Sequence, residues 1–270
     1  MRATPPTPSA LHHSALSPFG VEYTGTFADL SDESVEQIAR TTSEHGVVVL
    51  RDAGMSDDDF VSLLKRFGPL TFTQGETPLA HRPELNFVTN VNRKTPPRSV
   101  FHTDTSYVSE PPAFTALKGE LIPTSGGQTV FANQYAAWDS LAEELKTFCR
   151  GRQMLHTLSG LQENMAGDET QTWHPLAREH PVTGRTALFL SAPARFGGME
   201  GMSDADGRAL FEELFTHSVA EEGLYRHDWR AGDVVLWDNR CTLHKADHSK
   251  VLGDRVLHRG MVAGERPIAA

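Results

Sequence analysis

Cysteine is nearly missing from this chain: its 270 residues contain only Cys149 and Cys241, with no CxxC pair. So few thiols cannot staple a small secreted scaffold; the pair reads as core residues of a protein kept reduced in the cytoplasm. Long apolar runs are also missing. No stretch approaches the roughly 18 residues that signal a transmembrane helix, so no membrane partner is expected. The segment from Met1 to Pro18 has one arginine, scattered proline and serine, and no apolar core of a secretion signal. It reads as a disordered arm over residues 1–18. Positive charge is in deficit too, with 25 Lys and Arg against 35 Asp and Glu and a formal net charge of -10. An acidic surface repels phosphates, which argues against nucleic acid and leaves small molecules as the expected ligands. An anion pocket remains open to such a chain, because it needs only two or three cationic side chains.

Hydrophobic residues at 39% and charged residues at 22% are ordinary for a globular protein, and residues 19–270 read as a single domain. Ser31 or Asp32 caps a first helix with Val35, Ile38, Ala39 and Thr42 on its apolar face and Gly46 at its end. Val47 to Leu50 reads as a buried strand. Ser56 and Asp59 form a capping-box pair before a second helix whose face is Phe60, Leu63, Leu64 and Phe67. From Leu85 onward short β-like segments dominate: Phe114–Leu121, Gln128–Ala132, Thr186–Leu190, Asp233–Trp237 and Arg255–Val262. Helices are expected near Tyr135–Phe148 and Ser203–Phe215. Many short strands, a few flanking helices and no βαβ rhythm predict a mainly β sandwich or jelly roll.

Phe101-His102-Thr103-Asp104 reads as a strand, on which side chains two apart share a face, so His102 and Asp104 converge on one point. With a second histidine they would form a 2-His-1-carboxylate set, which leaves open positions on Fe(II). An isolated HxD is weak. His244 follows the β run Leu236-Trp237-Asp238-Asn239-Arg240, and His227, His248 and His258 compete with it. Arg255, Leu257 and Arg259 alternate along the next strand, which places both guanidiniums on one side. Two arginines there are costly to bury unless they meet anions, and their forks suit carboxylates. A solvent-facing edge strand with surface ion pairs has the same spacing.

The chain resembles the taurine and aryloxyalkanoate dioxygenase family of Fe(II)- and 2-oxoglutarate-dependent oxygenases, from about Val21 to Pro267. The residues that carry the resemblance are Phe101-His102-Thr103-Asp104, Gly126-Gly127-Gln128-Thr129-Val130-Phe131-Ala132-Asn133, and His180-Pro181-Val182-Thr183-Gly184-Arg185. Trp237-Asp238-Asn239-Arg240 through His244, and Arg255-Val256-Leu257-His258-Arg259, complete the set in the family's order. The resemblance implies a double-stranded β-helix (jelly-roll, cupin-like) barrel. It also implies iron ligation by His102, Asp104 and His244, and a distal carboxylate of 2-oxoglutarate held by Thr129 and Arg255. Arg259 would lie near the metal, where it engages cosubstrate or an anionic substrate group. The implied reaction consumes O2, releases succinate and CO2, and hydroxylates an unactivated C–H bond of a small anionic or zwitterionic substrate. Desaturation or oxidative decarboxylation are alternative outcomes of the same centre. A jelly-roll binding module without turnover is disfavoured, because it has no use for a complete open iron site. With Asp104 present, no coordination position is vacated for chloride, so halogenation is not expected.

In the taurine oxygenases, a histidine after the Arg-Phe-Gly turn and an asparagine before HxD help bind taurine. The matching places here hold Thr73 and Arg98, which points away from taurine itself. Arg98 and Arg259 together could hold a carboxylate, sulfonate or phosphonate, with Tyr107, Asn90 and Asn92 as candidates for the pocket wall. The polar stretch 157–172 is a candidate lid. Related folds often pair, so association with a second copy is left open.

Overall fold

The computed structural model describes residues 11–73, 75–92, 99–158 and 170–270. Both early helices form where their caps lie. Asp32–His45 starts at Ser31, whose side chain accepts from the Ser34 N–H, and stops at Gly46 with φ 79°. Asp57–Phe67 starts at a reciprocal Ser56–Asp59 capping box.

A nine-stranded sheet forms the larger layer. Its central order is Val21–Thr24, Val47–Leu50, Val234–Asp238, Phe114–Leu121, Val256–Val262 and Arg82–Thr89. A second sheet has Thr129–Asn133 at its centre, between Leu224–His227 and Thr242–Ala246. Alternation along the strands explains why apolar runs such as Val47–Leu50 are continuous. Val48 and Leu50 face the two early helices in one core cluster; Val47 and Val49 join Trp237, Leu257 and Phe131 in another, between the sheets. The second sheet repeats the pattern. Phe131 points inward, while Val130, Ala132 and Leu243 pack with Leu210, Phe211 and Leu214 of the helix Asp204–Ser218. The result is a mostly β jelly-roll arrangement with helices outside two facing sheets. Among the described residues no helix is long and apolar enough to cross a membrane.

Three expectations need correction. Residues 11–18 are not a loose arm: His12–Ala15 pairs antiparallel with Val21–Thr24, and Leu11, Leu16 and Phe19 pack on the cores. The strand itself is exposed throughout, so it carries no apolar alternation to announce it. The helix expected near Tyr135–Phe148 is two, Gln134–Asp139 and Glu143–Cys149, because Asn133 caps the first and the chain breaks at Ser140. Finally, 101–104 is no strand. His102 makes one isolated bridge to His244, and a turn begins at Asp104. Cys149 and Cys241 are buried and free, as expected of core thiols.

Candidate active site

His244 stands mid-strand in Thr242–Ala246, paired with Phe131, and its ring lies against Trp237 (centroids 4.5 Å apart) between the two sheets. His102 is tied to it through the backbone: each N–H donates to the other's carbonyl at 3.0 Å. After the bridge the chain turns through Thr105, which takes a left-handed φ of 45°, and this swings Asp104 under both rings. His102 Nε2 lies 3.6 Å from Asp104 Oδ1, and His244 Nε2 lies 3.8 Å from Asp104 Oδ2. One potential ligand atom from each residue falls within 4.8 Å of the others.

The protonation states suit a cation. His102 Nδ1 sits 2.9 Å from the Val100 carbonyl, which can only accept, so the proton is on Nδ1 and the Nε2 lone pair is free. Burial, with the Arg259 guanidinium adding to it, lowers the His244 pKa to about 3 despite Asp104, so its ring is neutral. Burial by itself would raise Asp104, but the positive charge of Arg259, 3.5 Å from its Oδ1, works against burial, and the carboxyl is held well below the usual range. Behind Asp104 runs a buried chain of donors. Thr115 Oγ1 donates to Asp104 Oδ2 at 2.8 Å, Asn239 Nδ2 donates to Thr115 Oγ1 at 2.8 Å, and Trp237 Nε1 donates to Asn239 Oδ1 at 3.1 Å.

Arg255, with no exposed surface, lies immediately before the strand Val256–Val262. Its Nε donates to the Gly127 carbonyl at 2.9 Å and its Nη2 to Thr129 Oγ1 at 3.2 Å, while Nη1 has no partner among the described residues. Among the described residues no carboxylate pairs with it. Burial pulls its pKa down to about 10, the sign of a cation lacking its counter-ion. Thr129 Oγ1 also accepts from Trp229 Nε1 at 3.0 Å, which leaves its own proton for an acceptor beside Arg255. Gly127, at φ 77°, makes the close approach: a Cβ there would lie 2.9 Å from Pro123 Cγ and 3.1 Å from Arg255 Cδ. An anion socket with one guanidinium arm unfilled fits the far carboxylate of a dicarboxylate.

Arg259 lies on the same face, two strand repeats further along, and the strand is internal rather than an edge. Its Nε donates to Asn86 Oδ1 at 3.1 Å, and its Nη1 is 3.5 Å from Asp104 Oδ1. Its Nη2 is 3.2 Å from Glu76 Oε1.

The expected substrate residues divide. Thr73 is brought in, its Oγ1 2.9 Å from that of Thr105, beside Asp104. Tyr107 is buried, and its carbonyl accepts from Thr172 Oγ1 at 2.7 Å. Asn90 is not a pocket wall: its Oδ1 accepts from the Arg255 N–H at 2.7 Å and its Nδ2 donates to the Gly253 carbonyl at 3.0 Å. Asn92 is an exposed turn residue at φ 57°. Arg98 lies outside the described residues, as does 159–169 of the candidate lid. The ends of that stretch close as a hairpin in which Gln171 pairs with Thr157.

Glu76, Asn86, Thr115 and Trp229 went unread in the sequence, and only Asn239 stood in a quoted motif. His180 and the Asp238–Arg240 pair form a structural corner. His180 Nε2 is 3.0 Å from Asp238 Oδ2, and Arg240 contacts both Asp238 oxygens at 2.8 and 2.6 Å. That carboxylate already has its cation, so the neighbouring His180, Asp238 and Cys241 are not a metal site. The group formed by Asp57, Glu120 and His258 is likewise filled, by Lys118, whose Nζ is 2.8 Å from Asp57 Oδ1.

Residues 9–261 match the sequence profile described as taurine catabolism dioxygenase TauD, TfdA family. The chain belongs to that family. The chain is 32% identical to the α-ketoglutarate-dependent 2,4-dichlorophenoxyacetate dioxygenase of Cupriavidus pinatubonensis, over 89% of this chain and 92% of the relative. A solved taurine dioxygenase from Burkholderia xenovorans superposes with a TM-score of 0.83 at 28% identity, covering 96% of this chain and 93% of that one. AAD-2, solved in complex with Mn(II) and N-oxalylglycine, superposes with a TM-score of 0.82 at 25% identity, covering 96% and 99%. As a TauD/TfdA family member, the protein is a 2-oxoglutarate-dependent dioxygenase whose cofactors are Fe(II), 2-oxoglutarate and O2.

Proposed function

We propose that His102, Asp104 and His244 hold the iron, that Arg255 and Thr129 hold the distal carboxylate of 2-oxoglutarate, and that the enzyme hydroxylates an unactivated C–H bond of a small substrate with an anionic group. The observation that carries this reading is the buried Arg255 guanidinium, without a counter-ion and with one nitrogen unpartnered among the described residues, in the same inter-sheet space as a neutral His244 and an ionised Asp104. Bound iron and 2-oxoglutarate supply an O2-derived oxidant together with succinate and CO2.

The chain's own residues select and orient. His102, Asp104 and His244 would hold the iron from one side and would leave room on the other for cosubstrate, O2 or water. Thr129 and Arg255 fix the far end of the cosubstrate by a hydroxyl donor and a charged fork. Trp237, Phe131 and Leu257 wall the space between the sheets and keep water from the reacting atoms. Arg259, touching Asp104 on one side and the Glu76 turn on the other, is placed for a substrate anion. The 2,4-dichlorophenoxyacetate and taurine named for the relatives each carry an anionic group, which supports that placement.

The test is anaerobic titration of the apoprotein with Fe(II) and 2-oxoglutarate, reading the weak visible charge-transfer band. The band should appear in the wild type and be lost in His244→Ala. Intact, folded wild-type protein that gives no band overturns the assignment. Product mass after aerobic turnover then separates hydroxylation from desaturation or decarboxylation.

A further inference from the structure

Arg259 does not meet the pocket as a free cation. Its Nη2 is 3.2 Å from Glu76 Oε1, an ionic contact, yet the same nitrogen has no aligned hydrogen-bond acceptor among the described residues. Glu76 sits on a turn after Gly75 (φ 85°), where its N–H donates to the Thr73 carbonyl at 3.3 Å, and its side chain is 40% exposed. Asn86 clamps the arrangement from the neighbouring strand, directly across from Arg259 in the register. Its Nδ2 donates to Glu76 Oε2 at 3.2 Å and its Oδ1 accepts from Arg259 Nε at 3.1 Å. Asn86 is buried, so both halves of the ion pair are held by one fixed amide. Asp104 touches the opposite end of the guanidinium, but its charge is committed to the metal ligand set.

We propose, resting on the reading that Arg259 receives the substrate's anionic group, that Glu76 is a specificity-determining residue favouring substrates that carry a cationic group, such as an ammonium, beside their anion. A plain monoanion reaching Arg259 finds it neutralised and must leave the Glu76 carboxylate facing its own charge. A zwitterion replaces both halves of the internal pair, its anion on Arg259 and its ammonium on Glu76. The unfilled hydrogen-bonding direction of Arg259 Nη2 is where the incoming anion gains a contact that Glu76 does not make. The half-exposed carboxylate limits the discrimination to about two- to fivefold, the range of a partly solvated ion pair.

The experiment is anaerobic calorimetric titration of the Fe(II)- and 2-oxoglutarate-loaded protein with two isosteric probes, 3-aminopropanesulfonate and 1-butanesulfonate, which exchange an ammonium for a methyl. The wild type should bind the aminosulfonate about two- to fivefold more tightly. Glu76→Gln, which keeps the side chain's shape and an acceptor for Asn86, should remove most of that difference, chiefly by tightening butanesulfonate. A wild-type preference for butanesulfonate overturns the proposal. So does an unchanged affinity ratio in Glu76→Gln, or a variant that binds neither probe although its Arg259 has been released. Failure of the underlying reading looks different. In that case Arg259→Gln binds both sulfonates as tightly as the wild type does, whatever the ratio between them.

Discussion

Thr115 donates its hydroxyl proton directly to Asp104 Oδ2 at 2.8 Å, and both side chains are buried. That bond fixes the plane of the only carboxylate in the His102, Asp104, His244 cluster, and Asn239 in turn aims the threonine. Groups that orient a metal ligand typically contribute about 10- to 100-fold to metal affinity. Thr115→Val is therefore expected to weaken Fe(II) or Mn(II) binding by about that factor, while Thr115→Ser, which keeps the hydroxyl, retains most of it. Anaerobic competition against a colorimetric chelator measures this directly. Equal affinities for wild type and valine variant would mean that the turn at Thr105 orients Asp104 unaided.

Arg255 and Thr129 make a separable pair of contributions. A charge-assisted hydrogen bond contributes about 1.5–3 kcal/mol and a neutral one about 0.5–1.5 kcal/mol. Arg255→Gln should raise the 2-oxoglutarate dissociation constant by about 10- to 150-fold, and Thr129→Val by only about 2- to 10-fold. The charge-transfer band, titrated at fixed Fe(II), gives both constants. An Arg255→Gln protein with wild-type affinity would assign the distal carboxylate to another residue.

Legibility in the sequence followed the range of the interaction. Caps at Ser31 and Ser56 depend on residues three positions away, and they were readable. The alternation that brings Arg255 and Arg259 to one face is equally local. His102 and Asp104 converge for a reason other than the strand their spacing suggests: a single backbone bridge and a turn bring them together. His244 stands out among several histidines through its flanking motifs and the family resemblance, not through periodicity. Glu76, Asn86 and Thr115 were invisible because their meaning lies in register. Asn86 faces Arg259, and Thr115 faces Trp237, only once the strands are paired. Asn90 misled for the same reason: an amide near a predicted site looks like a ligand until its partners, the Arg255 N–H and the Gly253 carbonyl, are known.

The Gly126-Gly127 turn predicts a functional cost to adding a single methyl. Both residues take left-handed backbone, and at Gly127 a Cβ would press on Pro123 and on the Arg255 side chain. Gly127→Ala should destabilise the fold by about 1–3 kcal/mol, in line with strained left-handed positions, and should also push Arg255 off Thr129. The expected signature is a raised 2-oxoglutarate requirement with metal affinity nearly unchanged, because none of the His102, Asp104 and His244 cluster touches that turn. Chemical denaturation and paired metal and cosubstrate titrations read the two effects separately. A variant that loses stability while keeping its 2-oxoglutarate affinity would show that the socket tolerates the shift.

Acid should weaken the fold through histidines buried away from the iron site. Burial lowers the pKa of His174 to about 4, holds His156 well below its ordinary value and lowers His227. In the unfolded chain each would titrate near the ordinary value of about 6.5. Between that pH and about 4, the unfolded state therefore binds a proton that native His174 does not. Stability is intact above the unfolded pKa and falls as pH drops through the window, by up to about 1.4 kcal/mol per unit for His174 alone. Urea unfolding of metal-free protein at pH about 7, 6 and 5 should give steadily lower midpoints. His174 Nε2 lies 2.9 Å from the Val108 carbonyl, so His174→Gln keeps a donor there while removing the titration, and its midpoint should fall less steeply with acid. A wild-type midpoint that is flat or rising toward pH about 5 would mean that these histidines accept protons in the folded state, through local opening around Phe189, on which both His156 and His174 pack.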